Sequence, residues 1–163
     1  MRYTGLPCVR CLRDDLVNKN TTTLNRLLVN LFNEVLEAES RAVITGDFMD
    51  ISNNDMHIID AIGVEEPQNM SAIAAKLMVT VGTLTVNMNN LEKKGYIERN
   101  RSTEDRRMVY VTLTEKGRKA FFHHRDFHKE MIKAAVRGLE EDEMKALISC
   151  LDKLDRFFAA QHD

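Results

Sequence analysis

Proline and glycine are scarce in this chain of 163 residues, with two and seven copies. Leu, Ala, Met, Glu, Lys and Asn are plentiful, a mix that favours helices over a β-sandwich. Long apolar runs are absent; stretches such as Ala72–Ala75 and Phe157–Ala160 are typical of the longest. A spanning helix needs about 20 apolar residues, so no membrane segment is expected. The N-terminus carries charges and lacks the apolar core of a signal peptide, so secretion is not expected either. The three cysteines form no disulfide framework and fit a reducing cytoplasm. No nucleophile elbow, P-loop, dinucleotide fingerprint or paired-carboxylate arrangement is present, and catalysis is not expected. At 44% hydrophobic, the chain can form one packed domain.

The net charge of −2 is uninformative, but its distribution is not. Residues 1–29 carry net +3, residues 30–75 net −8, residues 76–125 net +6 and residues 126–163 net −3. A basic block inside an acidic chain marks a local anion-binding face, or else a merely solvated one.

Residues 1–20 show no clear period and read as a loosely ordered arm. Thr21–Thr23 offer caps for a helix to about residue 45, in which Leu24, Leu27, Leu28, Leu31, Val35 and Leu36 recur at helical spacing. Ser52 and Asp55 form a capping-box pattern for a second helix with Met56, Ile59 and Ile62 inward, ended by Gly63. Residues 65–68 read as a turn around Pro67. Asn69 caps a short helix with Ile73, Ala74 and Leu77 inward. After a tight turn, Thr80 caps a helix over 81–94 that stops at Gly95. This is a helix-turn-helix pattern. Residues 96–99 and 107–113 read as strands of a hairpin with a polar tip at 100–106, the second strand placing Val109, Val111 and Leu113 on one side. Helix-turn-helix followed by a basic hairpin is a winged helix. Thr114 then caps a long helix to about Arg137, and residues 139–160 form the last, with Leu139, Met144, Leu147, Ile148, Leu151, Leu154 and Phe158 in a stripe. The fold is therefore mainly α with a small β-wing. It comprises a winged-helix core (52–113) flanked by N- and C-terminal dimerisation helices (21–45 and 114–161), with 21–163 one protomer. The terminal helices are too apolar to stand alone, and pairing them across a two-fold axis would bury them.

On a helical wheel of about 100° per residue, Val81, Leu84, Met88 and Leu91 cluster within about 80° and mark the buried side. Gly82, Thr83, Val86, Asn89, Asn90 and Lys93 fall opposite. A merely solvated helix favours Glu, Lys and Gln instead. Asn bonds adenine bidentately, and Thr or Val methyls suit the thymine methyl. Gly82 and the helix N-terminus permit close approach to a phosphate. With Thr80 and Thr85, these are the candidate groove-facing residues, and the scarcity of Arg among them points to an A·T-rich site. Arg99, Arg101, Arg106 and Arg107 surround the hairpin, where an arginine tip can enter a narrow minor groove. Asp105, grouped with this wing, is read as holding a neighbouring Arg in a bidentate pair.

Leu91-Glu-Lys-Lys-Gly95-Tyr-Ile-Glu-Arg99, Asp105-Arg-Arg107 and Leu113-Thr-Glu-Lys-Gly117 resemble the MarR family of bacterial winged-helix regulators, over roughly residues 22–160. Ile51-Ser-Asn-Asn-Asp-Met-His57-Ile-Ile-Asp60, Leu77-Met-Val-Thr-Val-Gly-Thr83, Asn89-Asn-Leu-Glu-Lys-Lys-Gly95 and Phe127-His-Lys129 resemble its fatty-acid-biosynthesis repressor branch. The arm at 1–20 departs from that branch. The resemblance implies a homodimer on double-stranded DNA with a palindromic operator, and puts Arg107 in the minor groove through the family's Asp-x-Arg motif. Arg106 is a candidate by composition only. The branch further implies repression of lipid-synthesis genes, with long-chain acyl-acyl carrier protein as corepressor. Its acyl chain would enter an apolar pocket between the dimerisation and DNA-binding parts, for which Met49, Met56, His57, His124, His128 and Met131 are candidates. Alternatives are a regulator of another pathway answering to a small aromatic, an oxidant or zinc, and a winged-helix module for protein contact.

His124 and His128, four apart on one helix face, have zinc-binding spacing, but no third ligand is evident and no metal or cofactor is assigned. Cys8-Val-Arg-Cys11 is a lone CxxC ahead of the fold. Cys150, beside the apolar stripe, is expected in the core.

Overall fold

The computed structural model describes residues 9–43, 46–101 and 108–160. Its order is α1 (Val9–Val43), a 3-10 turn (Gly46–Phe48), α2 (Asn53–Ile62), β1 (Gln68–Asn69), α3 (Met70–Lys76), α4 (Val81–Lys93), β2 (Ile97–Arg101), β3 (Val109–Leu113), α5 (Glu115–Ala135) and α6 (Glu141–Ala159). The strands form an antiparallel sheet in the order β1-β3-β2. This is a mainly helical winged-helix fold, as the sequence implied. No single helix among the described residues is long and apolar enough to cross a membrane.

The caps lie where the side chains dictate. The Ser52 hydroxyl accepts from the Asp55 amide while the Asp55 carboxylate accepts from the Ser52 amide, closing a capping box on α2. Asn69 Oδ1 accepts from the Ala72 amide at 2.8 Å, Thr80 Oγ1 from Thr83 at 3.1 Å and Thr114 Oγ1 from Gly117 at 3.1 Å. Each satisfies an amide that the helix itself leaves unpaired, worth about 1 kcal/mol.

The core gathers α2, α3, α4, the sheet and the start of α5. Leu84, Met88 and Leu91 of α4 are wholly buried with Met56, Ile59, Tyr96 and Val111. Each contributes roughly 1.5–3 kcal/mol of hydrophobic stabilisation. Polar ties then fix α4 on its neighbours. Lys94 Nζ donates to Asp55 Oδ2 at 3.2 Å, joining the end of α4 to the capping box of α2. The Tyr96 hydroxyl donates to Asp50 Oδ1 at 2.5 Å, and Lys116 Nζ donates to Asp50 Oδ2 at 3.0 Å. Tyr96's hydrogen bond, with Lys116 adding its charge, holds the Asp50 carboxyl below its ordinary range.

Several boundaries differ from the sequence reading. Of the arm expected at residues 1–20, residues 1–8 lie outside the described residues, and residues 9–20 are helical, forming the first turns of α1, which continues without a break through Thr21–Thr23. Gln68 leaves the expected turn to pair with Val111, and Asn69 pairs with Tyr110, forming a two-residue strand. Asn100 and Arg101 extend β2 opposite Tyr110 and Val109 rather than belonging to the tip. Leu139 precedes α6, whose N-cap is Glu140. Cys150 is exposed, not core. That last difference has a general cause: α6 buries none of its residues within one protomer, so its apolar face has no core to join.

Candidate nucleic-acid interface

Helix α4 presents the expected outward face. Gly82, Thr83, Val86, Asn89, Asn90 and Lys93 are exposed, opposite the buried Leu84, Met88 and Leu91. Val81 departs from the wheel: it lies in the first turn, beyond the reach of the core, and is exposed. Two other candidates are occupied locally. Thr85 is half-buried and its hydroxyl donates to the Val81 carbonyl at 2.7 Å, while Thr80 spends its oxygen capping the helix. The surface also continues N-terminally through residues that sequence reasoning missed. Met78 and Val79 in the turn before α4 are exposed, and Met78 holds a left-handed φ of 53°. Val81 and Val86 are exposed apolar residues of α4 as well. Unpartnered apolar surface of this kind marks a contact site. The available signal was Met78-Val79, two apolar residues in a turn that should be polar.

The wing residues do not all share one role. Arg101 is exposed at the end of β2. Arg99 turns back instead: its Nη2 donates to Asn89 Oδ1 at 2.8 Å and its Nε lies 3.5 Å from Glu92 Oε2. Only 20% of its side chain is exposed. Arg99 thus orients Asn89, leaving the Asn89 amide nitrogen as that residue's outward donor. Asp105, Arg106 and Arg107 lie outside the described residues.

The candidate effector residues separate into four places. Met56 is wholly buried in the core and Met49 is exposed, so neither joins a pocket with the others. Met131 lines an open, largely apolar groove of about 660 Å³ with Ala42, His123, Asp126, Phe127 and Glu130. His57, His124 and His128 converge elsewhere, on a carboxylate that the sequence reading did not single out. Glu39 Oε1 lies 2.6 Å from His124 Nε2 and 3.6 Å from the Nε2 atoms of both His57 and His128. Glu39 is 1% exposed. Burial, reinforced by the neighbouring His124, holds the His128 imidazole below the usual histidine range. The signal for Glu39 was its position: it falls one helical turn after Val35, on the inward side of α1, where a charge needs partners.

Comparison with known proteins follows this geometry. A model of the MarR family matches residues 51–109, which span the helix-turn-helix and most of the wing. The HTH-type transcriptional regulator PchR of Bacillus subtilis is 30% identical over 151 residues, covering 90% of this chain and 85% of PchR. The HTH-type transcriptional regulator SarZ of Staphylococcus saprophyticus is 39% identical over 69 residues, covering 42% of this chain and 47% of SarZ. Among solved structures, Streptococcus pneumoniae FabT in complex with DNA superposes with a TM-score of 0.83 at 40% identity, covering 86% of this chain and 99% of FabT.

Proposed function

The chain belongs to the MarR family of winged-helix DNA-binding transcriptional regulators, not to a class of enzymes, and from that premise we propose that it is a dimeric repressor of fatty-acid and membrane-lipid synthesis genes with long-chain acyl-acyl carrier protein as corepressor. The observation that carries this reading is the likeness to the DNA-bound FabT structure at 40% identity over almost all of that protein. It agrees with the branch motifs at residues 51–60, 77–83, 89–95 and 127–129. The open groove lined by Ala42, Phe127 and Met131 together with His123, Asp126 and Glu130 suits an alkyl chain, because its surface is largely apolar and its mouth is wide.

In this reading the outward face of α4 enters the major groove. Asn90 and the free amide of Asn89 take adenine edges, and Val86 and the Thr83 methyl meet thymine methyls. Arg107 takes the minor groove, and the operator is an A·T-rich palindrome whose half-sites lie about one turn apart. Gly82 lies where the helix start meets a phosphate.

Gly82→Ala separates folding from binding. A Cβ there meets nothing closer than Thr80 Oγ1 at 3.7 Å, which is ordinary contact. The substitution should therefore raise stability by about 0.5–1 kcal/mol through helix propensity. The same methyl stands off the phosphate, and operator affinity should fall on the order of tenfold, or about 1.4 kcal/mol. Thermal melts and a gel-shift titration at fixed salt check both halves; a variant that binds as tightly as the parent removes Gly82 from the interface.

The corepressor is tested by operator affinity for DNA upstream of a fatty-acid-synthesis cluster, with and without long-chain acyl-acyl carrier protein. Tightening on addition is the expected result, with no tightening by the unacylated carrier. Binding that ignores the acyl group would leave the regulator and remove the lipid reading.

A further inference from the structure

We propose, on the reading that α4 lies in the major groove, that Arg99 sets the base-reading chemistry of Asn89. It holds Asn89 as a donor-only reader that takes the N7 acceptor of either purine and leaves the choice of adenine to Asn90.

The strand decides where Arg99 points. Side chains alternate along β2, so Arg99 shares a face with the buried Ile97 and stands opposite the buried Val111. Alternation therefore turns it inward against α4 rather than out along the wing. There it meets two residues one helical turn apart, Asn89 and Glu92. Its Nη2 donates to Asn89 Oδ1 at 2.8 Å, and its Nε lies 3.5 Å from Glu92 Oε2. That Nε is buried and has no hydrogen-bond partner among the described residues, so the Glu92 carboxylate is its countercharge. The pairing keeps the guanidinium on the helix. Were Arg99 to leave for a phosphate, Glu92 would face the polyanion without its cation.

The donor inventory fixes the orientation of the amide. A guanidinium has donors only, so the atom it holds is the Asn89 oxygen, and Nδ2 is what remains for DNA. Asparagine recognises adenine with both ends at once: the oxygen accepts from the 6-amino group while the nitrogen donates to N7. With the oxygen taken, only the second contact is left. Adenine and guanine both present N7, whereas cytosine presents only its amino donor in the major groove. Asn89 thus takes either purine and rejects cytosine. Asn90, exposed beside it, makes no side-chain hydrogen bond among the described residues and keeps both ends for adenine.

Duplexes selected from a random pool by the full-length protein give the operator, and the position whose preference Asn89→Ala flattens is the one Asn89 reads. Base analogues at that position test the atoms. In the parent, 7-deazaadenine, which lacks N7, should weaken binding by about fivefold or more. Unsubstituted purine, which lacks only the 6-amino group, should bind like adenine within about twofold, as should guanine. Arg99→Met releases Oδ1, so adenine should then be preferred over guanine by about 5–150-fold, and the 6-amino group should matter. This gain should vanish in Asn89→Ala/Arg99→Met, a result that a merely structural role for Arg99 would not produce. A parent that loses as much affinity with unsubstituted purine as with 7-deazaadenine would overturn the proposal, and that measurement needs no variant to fold. So would an Arg99→Met protein whose base preference is unchanged. If Asn89→Ala flattens no position, the groove reading of Asn89 fails and the proposal falls with it.

Discussion

Gly117→Ala will destabilise this protein by roughly 1–2 kcal/mol or more, although the substitution sits in the first turn of a helix where alanine is normally favoured. Helix propensity gains at most about 1 kcal/mol. Against it stands a collision: a Cβ on Gly117 would lie 2.0 Å from the Tyr96 carbonyl oxygen, 3.1 Å from its carbonyl carbon and 3.3 Å from Leu113 Cβ. The nearest atoms are backbone, so no rotamer change relieves them. Overpacking of this kind costs about 1–3 kcal/mol and sometimes more. The Tyr96 carbonyl is also fixed from other sides. It accepts from the Thr114 amide at 3.0 Å, while the Tyr96 ring is buried and its hydroxyl is held by Asp50. Moving the carbonyl therefore strains the junction of α4, β2 and α5 together. Domains are stable by about 5–15 kcal/mol, so the variant loses a sizeable fraction of its stability. Urea denaturation is the measurement: a midpoint at or above that of the parent would show that the close approach does not exist. The contrast with Gly82→Ala, predicted to stabilise, makes the pair a test of geometry rather than of glycine replacement in general.

That contrast also shows where sequence alone carries the argument and where it stops. The buried side of α4 was legible because Leu84, Met88 and Leu91 recur at helical spacing, and the caps at Ser52, Asn69, Thr80 and Thr114 because short polar side chains precede apolar periods. Period says nothing at an end, so Val81 was misread as buried. Nor does it register a strand of two residues, so Gln68 was read as part of a turn and Asn69 only as a helix cap. Within the candidate interface, Asn90 and Val86 could be assigned outward from the wheel. The redirection of Arg99 onto Asn89 could not, because it depends on side chains meeting between a helix and a strand. Glu39 stayed hidden for the same reason: 85 residues separate it from His124. A helical pattern reports what lies one or two turns away, and a site assembled from three helices lies beyond its range.

The apolar faces of the terminal helices lead to the second large effect. Leu24, Leu27 and Leu31 follow one another along α1, and each is about half exposed; Phe32 beside them is 67% exposed. On α6, Ile148, Leu151 and Phe158 are likewise uncovered. Buried side chains of this size contribute roughly 1.5–3 kcal/mol each, so leaving both faces in water forfeits a large part of the available stabilisation. In the proposed dimer, these faces cover one another across the two-fold axis. The double substitution Leu31→Glu/Leu151→Glu should therefore dissociate the dimer while each winged-helix core stays folded, since neither residue contributes to that core. The consequence for DNA is larger than for folding. Two linked recognition helices bind with an effective concentration that raises avidity by about 10²–10⁴, and separated protomers lose that factor. Operator affinity should fall by at least 100-fold on this estimate, with circular dichroism and the melting of the core little changed. Sedimentation velocity and gel-shift titration on the same sample decide it. A variant that remains dimeric, or a monomer that binds the full operator as tightly as the parent, would break the link between these exposed faces and DNA recognition.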